Sequence, residues 1–319
     1  MKMHILAICV ALTLAAVLST TAQAARPVAR AAPQPTACRD TSKAAQMACQ
    51  FSGFDAFWID SGKCNNEKDA ADRATCLSDA KAALRDATQL CGAQRQKRND
   101  LCADLGEAPY DPAFEPSQFV DPREIGRSVA PNPWFPLTRR TLVYKSADET
   151  VRVVTTDKVK IIDRVPCLVV LDTVEVNGAV TEATTDWFAQ DVHGNVWYCG
   201  EGTAEYGEDG IPVNVDGSFQ ADVNGARPGI IAKAAPAVGD VYRQEFDLGN
   251  AEDTAKVLSL HGSATSLAAS CASTCLVTEE STPLAPGAIE NKYYKPGVGF
   301  IFQLKPATGE TLQLVEIIN

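Results

Sequence analysis

The chain is predicted to be α+β: an N-terminal disulfide-stapled antiparallel helical hairpin followed by a predominantly antiparallel β domain, built as a curved sheet, half-barrel or barrel. Three observations carry this reading. Six cysteines between Thr36 and Gly106 form a symmetric ladder. Seven prolines then crowd residues 109–136, a density that neither a helix nor a central strand tolerates. From Leu137 onward, runs rich in Val, Ile, Thr and Tyr alternate with turn signals, and no stretch repeats with a helical period.

Residues 1–24 read as an export signal, with Lys2, an apolar run from Ile5 to Leu18 and small residues at Ala22 and Ala24 before the cleavage point. Residues 25–36 form an Ala/Pro-rich linker. No later stretch approaches the roughly 18 to 20 apolar residues that a spanning helix requires, so no transmembrane segment is expected in the mature chain. The expected location is outside the cytoplasm, periplasmic or extracellular. Ten of the 11 cysteines follow the signal, and an even number in an exported chain reads as disulfides.

Within residues 37–107, Cys38, Cys49, Cys64, Cys76, Cys91 and Cys102 are spaced as a palindrome. Facing residues of an antiparallel helix pair have numbers of constant sum, which pairs Cys38 with Cys102, Cys49 with Cys91 and Cys64 with Cys76. Steps of 11 and 15 advance a helical side chain by only about 20° and 60°, so the cysteines of each helix share one stripe. Disulfides bring helices closer than ordinary packing, and small residues (Gly53, Ala56, Ala80, Ala83, Ala87) occupy that stripe. Asp69 or Asp72 is positioned to cap the second helix. Phe51, Phe54 and Trp58 lie on the opposite side of the first helix. This aromatic face is expected to dock on the β domain as core, or alternatively to recognise another chain or a ligand.

The linker, residues 108–136, carries aromatic residues among its prolines and is expected to lie along the domain surfaces. In the acidic β domain, residues 137–319, Asn177-Gly178, His193-Gly194 and Thr308-Gly309 are expected at hairpin turns. Residues 207–240 are Gly/Pro-rich and expected to be a long loop, the place for a ligand-binding lid, with "GARPG" around Arg227 as a rigid turn. Cys271 and Cys275 can close a small loop if that segment is not a regular strand. Hairpin registers set Cys167 and Cys199 two strands apart, near 10 Å and too far for a bond.

The chain carries 29 basic and 40 acidic residues, a net charge of −11, and the excess acid falls in residues 108–319. Nucleic acid is therefore not an expected partner. The two histidines after the signal, His193 and His261, exclude a multi-histidine metal site; no metal or cofactor is expected. Candidate ligand-binding residues are Asp186, Trp187, Asp191, Trp197 and Glu201, from the segment densest in aromatic and acidic side chains. "DVHGN" at Asp191 reads as a hairpin turn rather than a calcium loop. No nucleophilic serine or cysteine motif is present, and no catalytic residue is assigned.

The motifs "NPWFPL", "DWFAQDVHGNVWYCGEGTAEY", "GARPGII", "VGDVYRQEF" and "YYKPGVGFIFQL" resemble a group of exported bacterial proteins of unknown function, over most of residues 130–319. The opening motif, strand ladder and "KPGVGF" turn also resemble curved-sheet envelope proteins of the lipoprotein-carrier type. That resemblance implies a concave apolar face holding acyl chains or partner segments. The expected function is a non-catalytic binding or partner-docking protein of the envelope or secretome, with an apolar or peptide ligand. The alternative is a secreted hydrolase using paired carboxylates in the Asp186–Glu201 region.

Overall fold

The computed structural model describes residues 35–319; the segment expected to be an export signal and most of the expected Ala/Pro-rich linker lie outside the described residues. The hairpin comprises α1 (Ala37–Cys64) and α2 (Ala70–Leu105). Cys38–Cys102, Cys49–Cys91 and Cys64–Cys76 are bonded, with Cα separations of 5.7, 5.7 and 5.5 Å. Gly53 makes this close approach possible, since a β-carbon there would come within 3.3 Å of the Ala87 methyl. Asp69 caps α2 by accepting from the backbone N–H groups of Ala71 and Asp72.

The remainder is a large antiparallel sheet. Strands β1 (Arg140–Lys145), β2 (Glu149–Ile162), β3 (Val165–Val176), β4 (Ala179–Gln190) and β5 (Val196–Tyr206) form one meander. Three successive pieces then pair with β5: β6 (Pro212–Asn214), β7 (Phe219–Gln220) and β8 (Arg227–Ala232). After β9 (Val241–Arg243) and β10 (Glu245–Phe246), a second meander runs through β11 (Thr254–Thr265), β12 (Ser270–Ser281), β13 (Ile289–Lys295), β14 (Gly299–Leu304) and β15 (Thr311–Ile318). β15 pairs with β1 and joins the two meanders.

The sheet is nearly closed into a barrel because one short segment serves both of its edges. β9 pairs with β11, while β10, one residue further on, pairs with β8. A β-carbon at Gly229 would fall on the Gln244 backbone, so only glycine lets β8 pass this close to the bend between β9 and β10. Closure removes exposed sheet edges and encloses an interior face.

Several expectations are corrected. The segment 207–240 contains β6, β7 and β8 and lies against β5 rather than forming a free lid. Of "GARPG", Gly225 (φ 88°) ends a turn but Arg227, Pro228 and Gly229 begin β8; Pro228, which has no N–H to donate, stands opposite Glu245 beside the sheet closure. Cys167 and Cys199 are bonded, with Cα atoms 6.7 Å apart. Cys199 is the extra residue of a bulge, skipped between the Trp187–Gly200 and Phe188–Tyr198 pairs, and Cys167 lies just beyond the last β3–β4 pair. Flat-sheet spacing therefore does not apply. Cys271 and Cys275 are bonded within a strand, where four residues would span about 13 Å if extended. A register shift against β11 and a left-handed Ser273 (φ 55°) shorten the separation to 5.6 Å.

The aromatic face of α1 does not dock on the barrel. Phe51, Phe54 and Trp58 are 65%, 49% and 70% exposed. The barrel is met instead by the open end of the hairpin, where Arg98 of α2 pairs with Glu252 and Gln94 donates to the Leu284 carbonyl. The proline-rich segment is ordered over the barrel surface. Phe114 and Phe119 pack on Trp197. Buried Asn132 fastens the end of the linker: its side chain donates to the Gly194 and Ala232 carbonyls, accepts from the Trp134 and Phe135 N–H groups, and its own N–H donates to Gln190.

Candidate functional site

Strand alternation sends one set of side chains into the barrel. On β1 the inward phase is Arg140, Leu142 and Tyr144; on β2, Val151, Val153 and Thr155; on β3, Val170 and Asp172; on β4, Asp186 and Phe188. Lys292 and Tyr294 of β13 and Glu280 of β12 belong to the same lining. They surround an interior cavity of 340 Å³, apolar over most of its wall.

The polar groups of this cavity fall into two sets. In one, Glu280 is fully engaged: Lys292 lies 2.8 Å from it, the Tyr294 hydroxyl donates at 2.7 Å and the Thr278 hydroxyl at 2.9 Å. Burial opposes ionisation of Glu280, but the Lys292 charge and these hydrogen bonds outweigh it and hold the carboxyl below its ordinary range.

The other set is strained electrostatically. Burial pushes Asp172 up to about 7, reinforced by the neighbouring charges of Asp186 and Glu182. Burial likewise raises Asp186 and Glu201 to about 7, against the lowering effect of hydrogen bonds from Tyr198. The Tyr198 hydroxyl lies 2.5 Å from Asp186 Oδ1 and 3.0 Å from Glu201 Oε2. One hydroxyl hydrogen cannot serve two acceptors, so both contacts are satisfied only when one carboxyl carries a proton. Asp172 Oδ1 and Arg140 Nε are buried without any partner. Each lost hydrogen bond of this kind costs about 1–3 kcal/mol.

Of the five residues proposed from the sequence, Asp186 and Glu201 meet at the Tyr198 hydroxyl, directly opposite each other on β4 and β5, while the other three lie elsewhere. Trp187 packs on the far side of the sheet, under the Lys160 ammonium, 3.2 Å from its ring centre. Trp197 also packs there, and its indole N–H donates to Asp191. Asp191 further accepts from the His193 and Asn195 backbones and the Asn195 side chain, so it is the scaffold of a hairpin turn. Sequence reasoning missed Arg140, Asp172, Glu280, Lys292 and Tyr294. Arg140 and Asp172 carried a signal of phase, each a polar group on an otherwise apolar side of its strand; Glu280, Lys292 and Tyr294 share their phase with other polar residues and carried none.

No described helix is long and apolar enough to cross a membrane, and the five disulfides are the chemistry of an exported chain. Comparison with protein-family models, with curated proteins and with solved structures finds no match.

Proposed function

We propose that this is an exported, non-catalytic binding protein whose barrel interior encloses an apolar or peptide ligand bearing a hydrogen-bond donor. The observation that carries the reading is the pair of buried groups lacking partners, Asp172 Oδ1 and Arg140 Nε, on residues that line a cavity whose wall is mostly apolar and whose Glu280–Lys292 pair is already satisfied. A ligand that donates to Asp172 and accepts from Arg140 removes both penalties, while its apolar body rests on Leu142, Val153 and Phe188. The cavity volume of 340 Å³ suits a small molecule or the anchoring side chain of a peptide. The exposed Phe51, Phe54 and Trp58 stripe supports a second part of the reading, the hairpin as a rigid surface for a protein partner.

The hydrolase alternative draws on Asp186 and Glu201. A glycosidase needs its two carboxyls on opposite sides of the scissile bond. Here the Tyr198 hydroxyl stands between them, which weighs against hydrolysis.

The neutral arylamine N-phenyl-1-naphthylamine tests the binding reading by its fluorescence gain. One molecule should bind per chain; Val153→Trp, which fills the interior, should abolish binding, and Asp172→Asn should weaken it about 10-fold. Equal fluorescence gain in the wild type and a folded Val153→Trp variant would overturn the assignment, as would no gain in either.

A further inference from the structure

A second, larger cavity of 630 Å³ lies outside the barrel interior, where the open end of the hairpin, the linker and the closing strand meet. Three arginines are in its wall: Arg98, Arg227 and Arg243. Arg98 is bound in bidentate fashion to Glu252, at 2.9 and 2.7 Å, and both side chains are buried. Glu252 also accepts from the Gly249 N–H, and its one negative charge is committed to the paired Arg98. Arg227 is flanked by Asp111 and Asp222, at 3.6 and 3.8 Å.

Arg243 is different. It is only 8% exposed, makes no ion pair among the described residues, and its Nη1 has no hydrogen-bond partner. Its guanidinium lies over the rings of Phe246 and Tyr110, at 4.7 and 5.4 Å. Nη1 of Arg98 is likewise buried without a partner. The group Arg98, Glu252 and Arg243 therefore holds two buried cations and one anion. Guanidinium does not escape the cost by deprotonation, because arginine stays charged in proteins. In a chain of net charge −11, a buried cation with no counter-charge of its own is the anomaly that asks for a ligand.

We propose that this cavity binds a small amphiphile with one anionic head, a carboxylate or a phosphate. Arg243 takes the head and Arg98 Nη1 supplies a further donor, while Leu105, Ile230, Phe246 and Leu248 receive the apolar body. Planar guanidinium forks suit either head group. The aromatic rings hold the Arg243 guanidinium in place before the ligand arrives.

Calorimetric titration of the intact disulfide-bonded protein with dodecanoate, dodecyl phosphate and dodecanol tests the proposal. At least one of the two anions should bind with one molecule per chain, dodecanol should bind about 10-fold more weakly or worse, and whichever anion binds names the head group. Arg243→Gln should lose about 10-fold or more, and Arg243→Lys should recover part of it. Equal binding of dodecanol and the anions would overturn the proposal. So would absence of anion binding, or wild-type affinity in a folded Arg243→Gln protein. If Arg243→Gln does not fold, the anion-against-alcohol comparison on the wild type decides.

Discussion

The raised carboxyls of the barrel interior make stability depend on pH in a direction opposite to that of most proteins near neutrality. Asp172 ordinarily titrates at 3.8 and is held at about 7 in the folded state, chiefly by burial. Between those values the folded chain keeps a proton that the unfolded chain has lost, so stability falls as pH rises through the window and levels off above it. Replacing Asp172 by Asn removes the ionisable group while keeping its shape. Linkage then gives a stabilisation of about 2 kcal/mol at pH 5 and about 4 kcal/mol at pH 8. These are upper values, because part of the Asp172 shift comes from the charge of Asp186, which itself titrates in the same range. The signature is the difference between the two pH values, about 2 kcal/mol, read from urea midpoints followed by near-ultraviolet circular dichroism with disulfides intact. A wild type that gains stability between pH 5 and 8, or an Asp172→Asn gain of equal size at both, would refute the reasoning.

Glu280→Gln should destabilise by about 1–3 kcal/mol, because half-buried Lys292 keeps only the longer Glu290 contact at 3.5 Å; adding Lys292→Met should recover part of the loss in the same denaturation assay. Asn132→Ala should cost about 3 kcal/mol and quicken proteolytic cutting between residues 108 and 136, since it releases the hydrogen bonds that fasten the linker. Phe54→Ser and Trp58→Ser should each change stability by less than about 0.5 kcal/mol, and a larger loss would mean that the stripe is packed rather than exposed. Peptide mapping without reduction should recover Cys167 joined to Cys199 and Cys271 joined to Cys275; any other partner for these four would contradict the barrel registers.

The helical hairpin was legible because its geometry is periodic. A palindromic cysteine ladder admits one register, and small residues on the same stripe agree with it. The meander was legible for a related reason: the Asn177-Gly178 turn, with φ of 52° and 81°, is fixed by local chemistry. What escaped was non-periodic. Counting strand spacings cannot see the bulge at Cys199 or the kink at Ser273, and each shortens a distance that a flat sheet would make too long. Barrel closure rests on Gly229 passing against Gln244, a contact between segments that show no pattern in common. The aromatic stripe misled because its periodicity identifies a face, not what covers it. At the site, the density of acids between Asp186 and Glu201 drew attention to Asp191, Trp187 and Trp197, which serve the turn and the outer face. Asp172 was hidden among apolar residues of its phase, where a single charge makes little compositional mark, and Lys292 lay in a strand of mixed polar residues that reads as a solvated face.

The central claim, that the barrel interior is a ligand site, is tested most directly by native mass spectrometry of the protein exported through an oxidising compartment. The wild type is compared with Val153→Trp, and each native mass with the corresponding denatured, unreduced mass. The account predicts an adduct on the wild type that is lost on denaturation and is missing from the variant. A wild type at its bare monomer mass, or an adduct retained when the interior is filled, would contradict it.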